Sequence, residues 1–319
     1  MSRHTVDGTI VSVNTAEEKG VRKQPVESIT LVVDHGVEGD AHAGPWHRQV
    51  SLLANESIEK MKPSCPTVGA GAFGENITTE GVVVYELPIG TRFYAGEVLL
   101  EVTQIGKECH DRCAIFHQAG DCVMPREGIF AKVIEGGQIT PGHGIVLMKN
   151  SLIAAAVLTV SDKGSRGERE DTSGDALEEA LHALGAASVE RAIVPDEAGL
   201  IAAELRRWAD QTPVNLILTT GGTGMTSRDV TPEATLAVLD RQAPGFVEAM
   251  RAGSLVTTPH AMLSRAVSGI RGKTLIINMP GSPRACTEQF AMIAKALPHG
   301  VEKLLDLGGD CAPPSPPAG

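Results

Sequence analysis

The apolar run Ile153–Val160, with the sequence IAAAVLTV, restricts the fold of this chain more than any other feature. An uninterrupted apolar strand of this kind is typical of a parallel sheet that is covered on both faces. The helical pattern Asp175–Leu184 follows, with Gly185 as its C-cap, and strands and helices alternate from there on. The alternation predicts a doubly wound, mostly parallel α/β sheet with helices on both faces. The later predicted elements are the strands Val189–Val194, Val214–Thr220 and Lys273–Met279 and the helices Glu197–Asp210 and Arg284–Leu297.

The chain before Met148 has a different pattern, in which short strands are separated by glycine-containing turns. Few helical stretches interrupt them, which favours a β-barrel or a β-sandwich. We place a domain boundary near Lys149–Ser151, which gives a first domain of residues 1–150 and a second of residues 151–308. The proline-rich tail 309–319 has too little apolar content to pack and is expected to be disordered. The predicted strands of the first half are Thr5–Val13, Ser28–Val33, Gln49–Leu53, Val82–Val84, Glu97–Thr103 and Gly144–Met148.

Composition excludes several classes of partner. The formal net charge of −11 argues against nucleic acid and anionic membranes, and an aromatic content of 3% leaves little material for stacking on bases. No apolar run reaches the roughly 18 residues that a membrane span needs, and no apolar signal core follows Met1. We therefore expect a cytoplasmic protein whose six cysteines stay reduced and whose partners are small molecules.

Loops rich in glycine and hydroxyl groups follow several strands of the second half. The loop Thr219–Asp229 reads TTGGTGMTSRD, and similar loops occur at Thr159–Arg166 and Asn278–Pro283. In open α/β sheets, ligands bind beyond the carboxyl ends of the strands. Glycine lets the backbone approach a ligand, while hydroxyls and free N–H groups can hold phosphate oxygens. A tight turn that merely needs glycine is the alternative for GGTG alone, and the arginine and aspartate that end the loop favour a phosphate site.

Two carboxylates stand at strand ends of this half, Asp196 in the segment VPDE and Asp229 in the glycine loop. Phosphoryl chemistry on a nucleotide needs a cation to offset charge, and Mg²⁺ prefers one or two carboxylates together with waters and phosphates. Each acid alone is more often a helix cap or a surface charge, but the pair at neighbouring strand ends predicts a metal site. Beyond Asp229, Thr231 is predicted as a helix N-cap with Pro232 at the first helical position.

Several motifs of the second half occur in one order across residues 153–305, namely TVSDKGSRGEREDTSG, VPDE, LILTTGGTGMTSRDVTPEAT, PGFVEAMR, MLSRAVSGIRGKTLIINMPGSP and LPH. In this set the chain resembles the molybdopterin adenylyltransferase family. The resemblance implies transfer of AMP from MgATP to the terminal phosphate of molybdopterin, release of pyrophosphate, and a homotrimer. It also implies that Asp196 and Asp229 are the catalytic acids that contact Mg²⁺. The residues that it implies for ligand binding are Ser161, Asp162, Thr220, Gly221, Gly222, Thr223, Gly224, Glu248, Pro280, Gly281 and Ser282.

The first half carries a cysteine cluster in which Cys109, Cys113, His117 and Cys122 follow the spacing C-x₃-C-x₃-H-x₄-C. Structural zinc is one interpretation, although the spacing lacks a C-x₂-C knuckle. Buried inert thiols are a second interpretation. The third is a reactive or metal-ligating thiolate, whose pKa the neighbouring cationic side chains would lower.

The surrounding motifs are EKGVRKQPV, HGVEGDAHAG, RQVSLL, GAFGENITTEG, LPIGTRFYAGEVLLEVTQIGKECHDRC and MPREGIFAKVIEGGQI, within residues 5–148. As a set they resemble the MOSC domain, the module at the C-terminus of molybdenum cofactor sulfurases. The resemblance implies a β-barrel that handles a pterin–molybdenum or sulfur species through a catalytic cysteine. Either Cys109 or Cys113 would be that cysteine and the molybdenum ligand. The nearby His35, Asp40 and His42 form either a structural turn or a contact to pterin or metal.

Two functional hypotheses of different class follow from these motifs. The first is an enzyme of cofactor assembly with two active domains. The second is a carrier that binds molybdopterin or the finished cofactor and catalyses nothing. Release of pyrophosphate from ATP when molybdopterin is added distinguishes them. A zinc-stabilised interaction protein is a third hypothesis, which metal analysis would reveal.

Overall fold

The computed structural model describes residues 6–107 and 114–307. Within them the chain forms two domains, an N-terminal β-barrel and a C-terminal α/β domain with a mostly parallel sheet. The predicted fold class is confirmed. Cys109, Cys113 and the tail 309–319 lie outside the described residues.

In its described residues, the N-terminal half is built of short strands with three short helices between them. The strands are β1 (Gly8–Thr15), β2 (Gln24–Val26), β3 (Ile29–Val32), β4 (Gly36–Val37), β5 (Val50–Ala54), β6 (Ile77–Glu80), β7 (Arg92–Ala95), β8 (Val98–Ile105), β9 (Ile129–Glu135), β10 (Gly137–Ile139) and β11 (Gly144–Leu147). The helices are α1 (Asn55–Met61), α2 (Ala114–Ala119) and α3 (Met124–Glu127).

Seven of these strands close into a barrel in the order β11-β7-β8-β9-β5-β6-β1, and β1 pairs back to β11 with Gly8 opposite Ile145. Neighbouring strands are antiparallel except β5 and β6, which run parallel. Strand β2 extends the sheet beyond β1, while β10, β3 and β4 form a separate small sheet. Closure removes the unpaired edges that an open sheet of this kind would expose.

The predicted strand Val82–Val84 is wrong. The segment follows Gly81, whose φ is +82°, and leads into a 3₁₀ turn at Val84–Glu86. Val82 and Val84 are both buried, which gives the alternating burial that a strand would show. Val82 and Val84 pack an irregular segment against the barrel. Alternating burial along a segment therefore does not require that it pair as a strand.

A buried ion pair joins Lys23 and Asp40 at one end of the barrel, with 2.5 Å between Nζ and Oδ2. Asp40 also accepts hydrogen bonds from the backbone N–H groups of Ala16 and His42 and from Nδ2 of Asn76. Burial alone would raise the pKa of Asp40, but the hydrogen bonds from His42 and Lys23 outweigh it and hold that pKa well below its usual range. Asp40 therefore stays ionised and ties the loop after β4 to β1 and β6.

The C-terminal half alternates strands and helices. Its strands are β12 (Ala154–Val160), β13 (Ser188–Val194), β14 (Leu216–Thr220), β15 (Arg241–Gln242), β16 (Ser268–Arg271) and β17 (Thr274–Met279). Its helices are α4 (Asp162–Ser165), α5 (Thr172–Leu184), α6 (Ala198–Gln211), α7 (Thr231–Leu236), α8 (Gly245–Leu255), α9 (Pro283–Ile293) and α10 (Leu297–Leu304), with a 3₁₀ turn at Pro259–Leu263.

The sheet has the order β13-β12-β14-β17-β16-β15, in which the first four strands are parallel and the last two pairings are antiparallel. Strand β12 is buried along its whole length, as its apolar sequence predicts. Ala155 and Val157 pack in the core that contains residues of α5, α8, α9 and α10, while Ala156 and Leu158 pack against α6 and α7. Helices therefore cover both faces.

The boundaries of all three predicted helices differ from the structure, and α6 is displaced by one residue from the predicted Glu197–Asp210. Helix α5 begins at Thr172, three residues before the predicted start, and ends at Gly185, whose φ of +95° confirms the predicted C-cap. The predicted helix Arg284–Leu297 corresponds to α9, which ends at Ile293, four residues before the predicted end, and a further helix, α10, begins at Leu297. Pro298 has no N–H to donate to the carbonyl of Ala294, so the hydrogen-bond series of α9 does not continue into α10.

The barrel is joined to the amino edge of the α/β sheet. A 3₁₀ turn at Lys149–Leu152 connects β11 to β12, and Ser151 Oγ accepts a hydrogen bond of 2.8 Å from the N–H of Arg92 in the barrel. A cavity of about 420 Å³ between the domains is lined on one side by barrel residues and on the other by Ala154 and Ser188, the first residues of β12 and β13. The carboxyl edge of the sheet faces away from this junction.

We expect Asp40→Asn to destabilise the barrel, because it leaves the buried Lys23 ammonium without its counter-ion. Breaking one side of a buried ion pair costs about 3–5 kcal/mol. The double variant Lys23→Met/Asp40→Asn should lose less stability than Asp40→Asn alone, since the unpaired charge is gone. Urea unfolding of the full chain measures both. Equal losses in the two variants would contradict the role assigned to the ion pair.

Candidate functional site

A cavity of about 200 Å³ lies at the carboxyl ends of the parallel strands, where the glycine loops meet. Of the residues predicted for ligand binding or catalysis, six line this cavity. They are Ser161, Asp196, Thr220, Gly221, Gly222 and Gly281.

The other predicted residues of this domain lie outside the lining of the cavity. Most of them belong to the same loops as the lining residues. Glu248 is different, because it is exposed in the first turn of α8. The residues that belong to the loops without lining the cavity are Asp162, Thr223, Gly224, Asp229, Pro280 and Ser282.

Gly221 and Gly222 allow the glycine loop to pass close to its neighbours. Their φ angles are +96° and +62°, which side chains rarely adopt. A Cβ on Gly221 would lie 2.3 Å from the carbonyl oxygen of Val160, and one on Gly222 would lie 2.3 Å from Oγ1 of Thr231. The predicted N-cap role of Thr231 is wrong, since helix α7 has Val230 at its N-cap. Thr231 Oγ1 instead donates to the carbonyl of Gly221 at 2.9 Å and fixes the loop.

A hydrogen-bonded floor joins the ends of β14 and β17 beneath the cavity. Thr220 Oγ1 donates to the carbonyl of Pro280 at 2.7 Å, and Cys286 Sγ donates to the same oxygen at 2.9 Å. Burial raises the pKa of the Cys286 thiol to about 11. The thiol is therefore protonated at neutral pH and acts as a donor that holds the second glycine loop against the first.

Asp196 reaches the cavity from the end of β13. Its Oδ2 accepts the N–H of Asp162 at 2.8 Å, and its own N–H donates to Asp162 Oδ1 at 3.1 Å. A Cβ on Gly222 would lie 3.4 Å from Asp196 Oδ1, so this oxygen is directed towards the glycine loop. Among the described residues no hydrogen bond to Oδ1 is found, which leaves that oxygen available to a ligand.

Asp229 lies beside the same loop. Its Oδ2 accepts the N–H of Thr226 at 2.7 Å, and a Cβ on Gly224 would lie 3.0 Å from that oxygen. Burial alone would raise the pKa of Asp229, but the hydrogen bonds from Thr226 and Gly224 outweigh it and lower that pKa. The carboxylate is therefore ionised at neutral pH. Asp196 and Asp229 approach the loop at Gly222 and Gly224, two positions apart.

The start of α5 forms a wall of the cavity that the site prediction omitted. Arg169, Asp171, Thr172 and Ser173 all line the cavity. Asp171 is the N-cap of α5, where it accepts hydrogen bonds from the N–H of Gly174 at 2.9 Å and from Thr159 Oγ1 at 2.7 Å. An aspartate before a helical pattern is an N-cap signal that the sequence contained. The positive end of the helix dipole consequently faces the cavity.

The carboxylates of this site fit a divalent cation that is bound together with a nucleotide. Within residues 6–107 and 114–307 there is no group of three or more His, Cys, Asp or Glu side chains arranged to hold a metal. Mg²⁺ needs only one or two carboxylates when phosphates and waters complete its coordination. Asp196 Oδ1 and the ionised Asp229 beside the glycine loop are donors of the type that it uses.

The cysteine cluster of the barrel can be described only in part, because Cys109 and Cys113 lie outside the described residues. Cys122 is buried in an apolar cluster with Ile115 and Met124. His117 is exposed on α2 and makes an edge contact with the ring of Phe116. In the predicted polar cluster of His35, Asp40 and His42, the N–H of His42 donates to Asp40 Oδ1 at 3.0 Å. His35 is exposed.

Comparison with known proteins assigns each half of the chain to a family model. Residues 156–299 match the model described as "Probable molybdopterin binding domain", and residues 39–146 match the MOSC domain. Both matches agree with the resemblances found in the motifs.

The molybdopterin adenylyltransferase of Helicobacter pylori strain J99 is 43% identical over 155 residues, which cover 48% of this chain and 88% of that protein. The chain belongs to the molybdopterin adenylyltransferase family, a family of nucleotidyltransferases. The Escherichia coli K12 member is 42% identical over 151 residues, or 46% of this chain and 77% of that member. The adenylyltransferase family match is confined to the α/β half, and the barrel is an addition to it. These relatives place the chain among proteins of molybdenum cofactor biosynthesis.

Among solved structures, the molybdopterin biosynthesis enzyme MoaB of Thermus thermophilus is 48% identical, with a TM-score of 0.44. The alignment covers 48% of this chain and 96% of that one. Across the described part of the chain, no helix is both long and apolar enough to cross a membrane.

Proposed function

We propose that the α/β domain transfers AMP from Mg-ATP to the terminal phosphate of molybdopterin. In this reaction an acceptor phosphate oxygen forms a bond to the α-phosphorus of ATP, the bond from that phosphorus to the bridging oxygen breaks, and pyrophosphate leaves with the electron pair. The observation that carries the proposal is that Asp196 and the Gly221–Gly222 backbone line one cavity while Asp229 lies beside the same glycine loop. Family membership supports the choice of substrates.

Each part of the cavity has a task in this proposal. The backbone at Gly221 and Gly222 lines the cavity without side chains, which leaves the loop accessible to phosphate oxygens. The start of α5 supplies N–H groups and the positive end of a helix dipole to the same phosphates. Ser161 and Ser282, the N-caps of α4 and α9, hold the loops on either side through hydrogen bonds to Gly164 and Ala285. Mg²⁺, when bound by Asp196 and Asp229, neutralises charge on the phosphates.

We expect Asp196→Asn and Asp229→Asn each to lower kcat for AMP transfer by at least about a hundredfold, since each removes a carboxylate contact to Mg²⁺ at the site where charge develops in the transition state. Pyrophosphate release by the full chain, with ATP, Mg²⁺ and molybdopterin supplied, measures the effect. Asp306→Asn is the control, because Asp306 is exposed and far along the chain from the loops. Near wild-type turnover in both variants would refute the assignment.

The carrier hypothesis makes a different prediction for the same assay. A carrier binds molybdopterin and releases no pyrophosphate, whereas the adenylyltransferase releases one pyrophosphate for each AMP transferred. Retention of both acids beside the glycine loop favours the enzyme, because a carrier has no need for a cation at the phosphates.

We also propose that the barrel binds or modifies a pterin–molybdenum or sulfur species through Cys109 or Cys113. The match of residues 39–146 to the MOSC domain supports this role. The assignment to one of the two cysteines is left to experiment.

The cysteine proposal predicts that Cys109 or Cys113 reacts with iodoacetamide faster than Cys65 and Cys286 in the native protein. Cys65 and Cys286 are both fully buried, and the high pKa of Cys286 keeps its thiolate scarce. Serine at the functional position should remove bound molybdenum or sulfur and leave pyrophosphate release unchanged. Slow alkylation at both positions, without recovered molybdenum or sulfur, would leave only a structural role. Zinc that is lost with either substitution would support the zinc alternative.

We propose that the chain assembles as a homotrimer through the α/β domain. Support comes from an apolar surface at the end of α8 and in the following 3₁₀ turn. Its members are exposed by 41% at Leu255, 89% at Val256, 65% at Met262 and 51% at Leu263. Contiguous exposed apolar side chains of this kind mark association surfaces.

Residues 1–150 and 151–308 are the proposed domains, and the cytoplasm is the proposed location.

Val256→Lys is expected to lower the molar mass measured by light scattering towards that of a single chain, because it places a charge on this apolar surface. Val33→Lys is the matched control, since Val33 is exposed by 47% on the barrel. A wild-type chain that is monomeric, or a Val256→Lys chain of unchanged mass, would contradict the proposed assembly.

A further inference from the structure

Asp162 begins α4, two residues after the end of β12, and both oxygens of its carboxylate accept hydrogen bonds. Arg228 Nη2 lies 2.8 Å from Oδ1 and 2.7 Å from Oδ2, and Arg228 Nε lies 3.2 Å from Oδ2. Oδ1 also accepts the N–H of Asp196. Neither Asp162 nor Arg228 lines the cavity. The contacts of this pair instead lead to Asp196, which does line the cavity.

The pair holds Asp196 on one side. The N–H of Asp162 donates to Asp196 Oδ2 at 2.8 Å, while the Asp162 carboxylate accepts the N–H of Asp196 at 3.1 Å. Two reciprocal hydrogen bonds thus join the ends of neighbouring strands and fix the rotation of the Asp196 side chain. Oδ2 is occupied as a result, and Oδ1 is the oxygen directed towards Gly222.

On the other side the pair holds Asp229, the residue that follows Arg228 in the chain. The bidentate contact of Arg228 ties the second half of the glycine loop to the end of β12 across 66 positions of sequence. Asp196 and Asp229 are therefore connected by one series of contacts, which runs from Asp196 through Asp162 and Arg228 to Asp229. Arg228 also offsets the negative charge of Asp162, a third carboxylate that lies beside Asp196.

We propose that Asp162 and Arg228 are positioning residues that set the separation of the Asp196 and Asp229 carboxylates and so determine how tightly a divalent cation binds with a nucleotide. This inference rests on the proposed function of the cavity. In this proposal Asp162 orients Asp196 and does not itself contact the ligand. Residues that orient metal ligands commonly change metal affinity by about 10- to 100-fold when they are replaced.

The pair is exposed, with 58% of the Arg228 side chain and 34% of the Asp162 side chain accessible to solvent. Exposed ion pairs contribute little to folding. Its removal should therefore leave the thermal midpoint close to that of the wild type. The same chain offers a matched control in Arg126 and Asp121, an ion pair that is exposed by 59% and 53% and lies in the N-terminal domain. Arg126 and Asp121 are only five positions apart in the sequence, and their contact ties no strand ends together.

The test measures binding of Mn²⁺ to the full chain in the presence of α,β-methylene-ATP. The electron paramagnetic resonance signal of free Mn²⁺ reports how much of the ion is bound. Asp162→Asn and Arg228→Gln should each weaken Mn²⁺ binding by about tenfold or more. The double variant should bind no more weakly than the weaker single variant, because both changes break one contact. Arg126→Gln should bind like the wild type. Arg228→Lys keeps the positive charge but loses the bidentate contact, so its Mn²⁺ affinity should lie between those of the wild type and Arg228→Gln.

Unchanged Mn²⁺ affinity in both single variants would overturn the proposal, as would additive losses in the double variant or a wild type that binds no Mn²⁺ with the nucleotide. Failure of the proposed function has a different signature. A wild type that binds Mn²⁺ and nucleotide, is weakened as expected by both substitutions, and transfers no AMP would support the positioning role and contradict only the reaction.

Discussion

The burial of β12 on both faces is the constraint on which the rest of the α/β domain depends. Its residues alternate between a core shared with α5 and α9 and a core shared with α6 and α7. A strand in this position has no place for charged groups along its length. The charged and hydroxyl side chains of the motif are therefore found where the strand ends, at Ser161 and Asp162. Because the neighbouring parallel strands end at the same edge, their polar loops meet there as well.

The architecture of the α/β domain could be predicted because a strand that is buried on both faces requires an uninterrupted apolar run, which is easily recognised in the sequence. The glycine loops could be predicted for a related reason, since few residues other than glycine tolerate the backbone at Gly221 and Gly222. Local patterns were less informative where tertiary contacts decide the conformation. Val82–Val84 alternates in burial without pairing, and Thr231 uses its hydroxyl to fix the Gly221 carbonyl instead of capping a helix. Sequence order also could not reveal that Glu248 lies apart from the cavity.

The acids of the chain differ in how much of their hydrogen-bonding capacity the fold consumes. Asp40 and Asp171 have both oxygens engaged by neighbouring groups, and they hold a barrel loop and a helix start in place. Asp196 uses one oxygen for structure and directs the other to the glycine loop. Motifs alone do not distinguish these cases, since the residue type is the same. The difference becomes visible only when every donor around each carboxylate is known.

The attachment of the barrel at the amino edge of the sheet has a consequence for how such a chain can change. Gly90 of the barrel lies so close to the second domain that a Cβ there would be 2.8 Å from the carbonyl oxygen of Ala187, just before β13. This contact is at the end of the sheet where parallel strands begin, and the ligand loops are at the end where they finish. A module can therefore be appended, exchanged or lost at the amino edge without remodelling the glycine loops. Fusion of this kind is a modest evolutionary step, because the attachment surface and the glycine loops do not overlap.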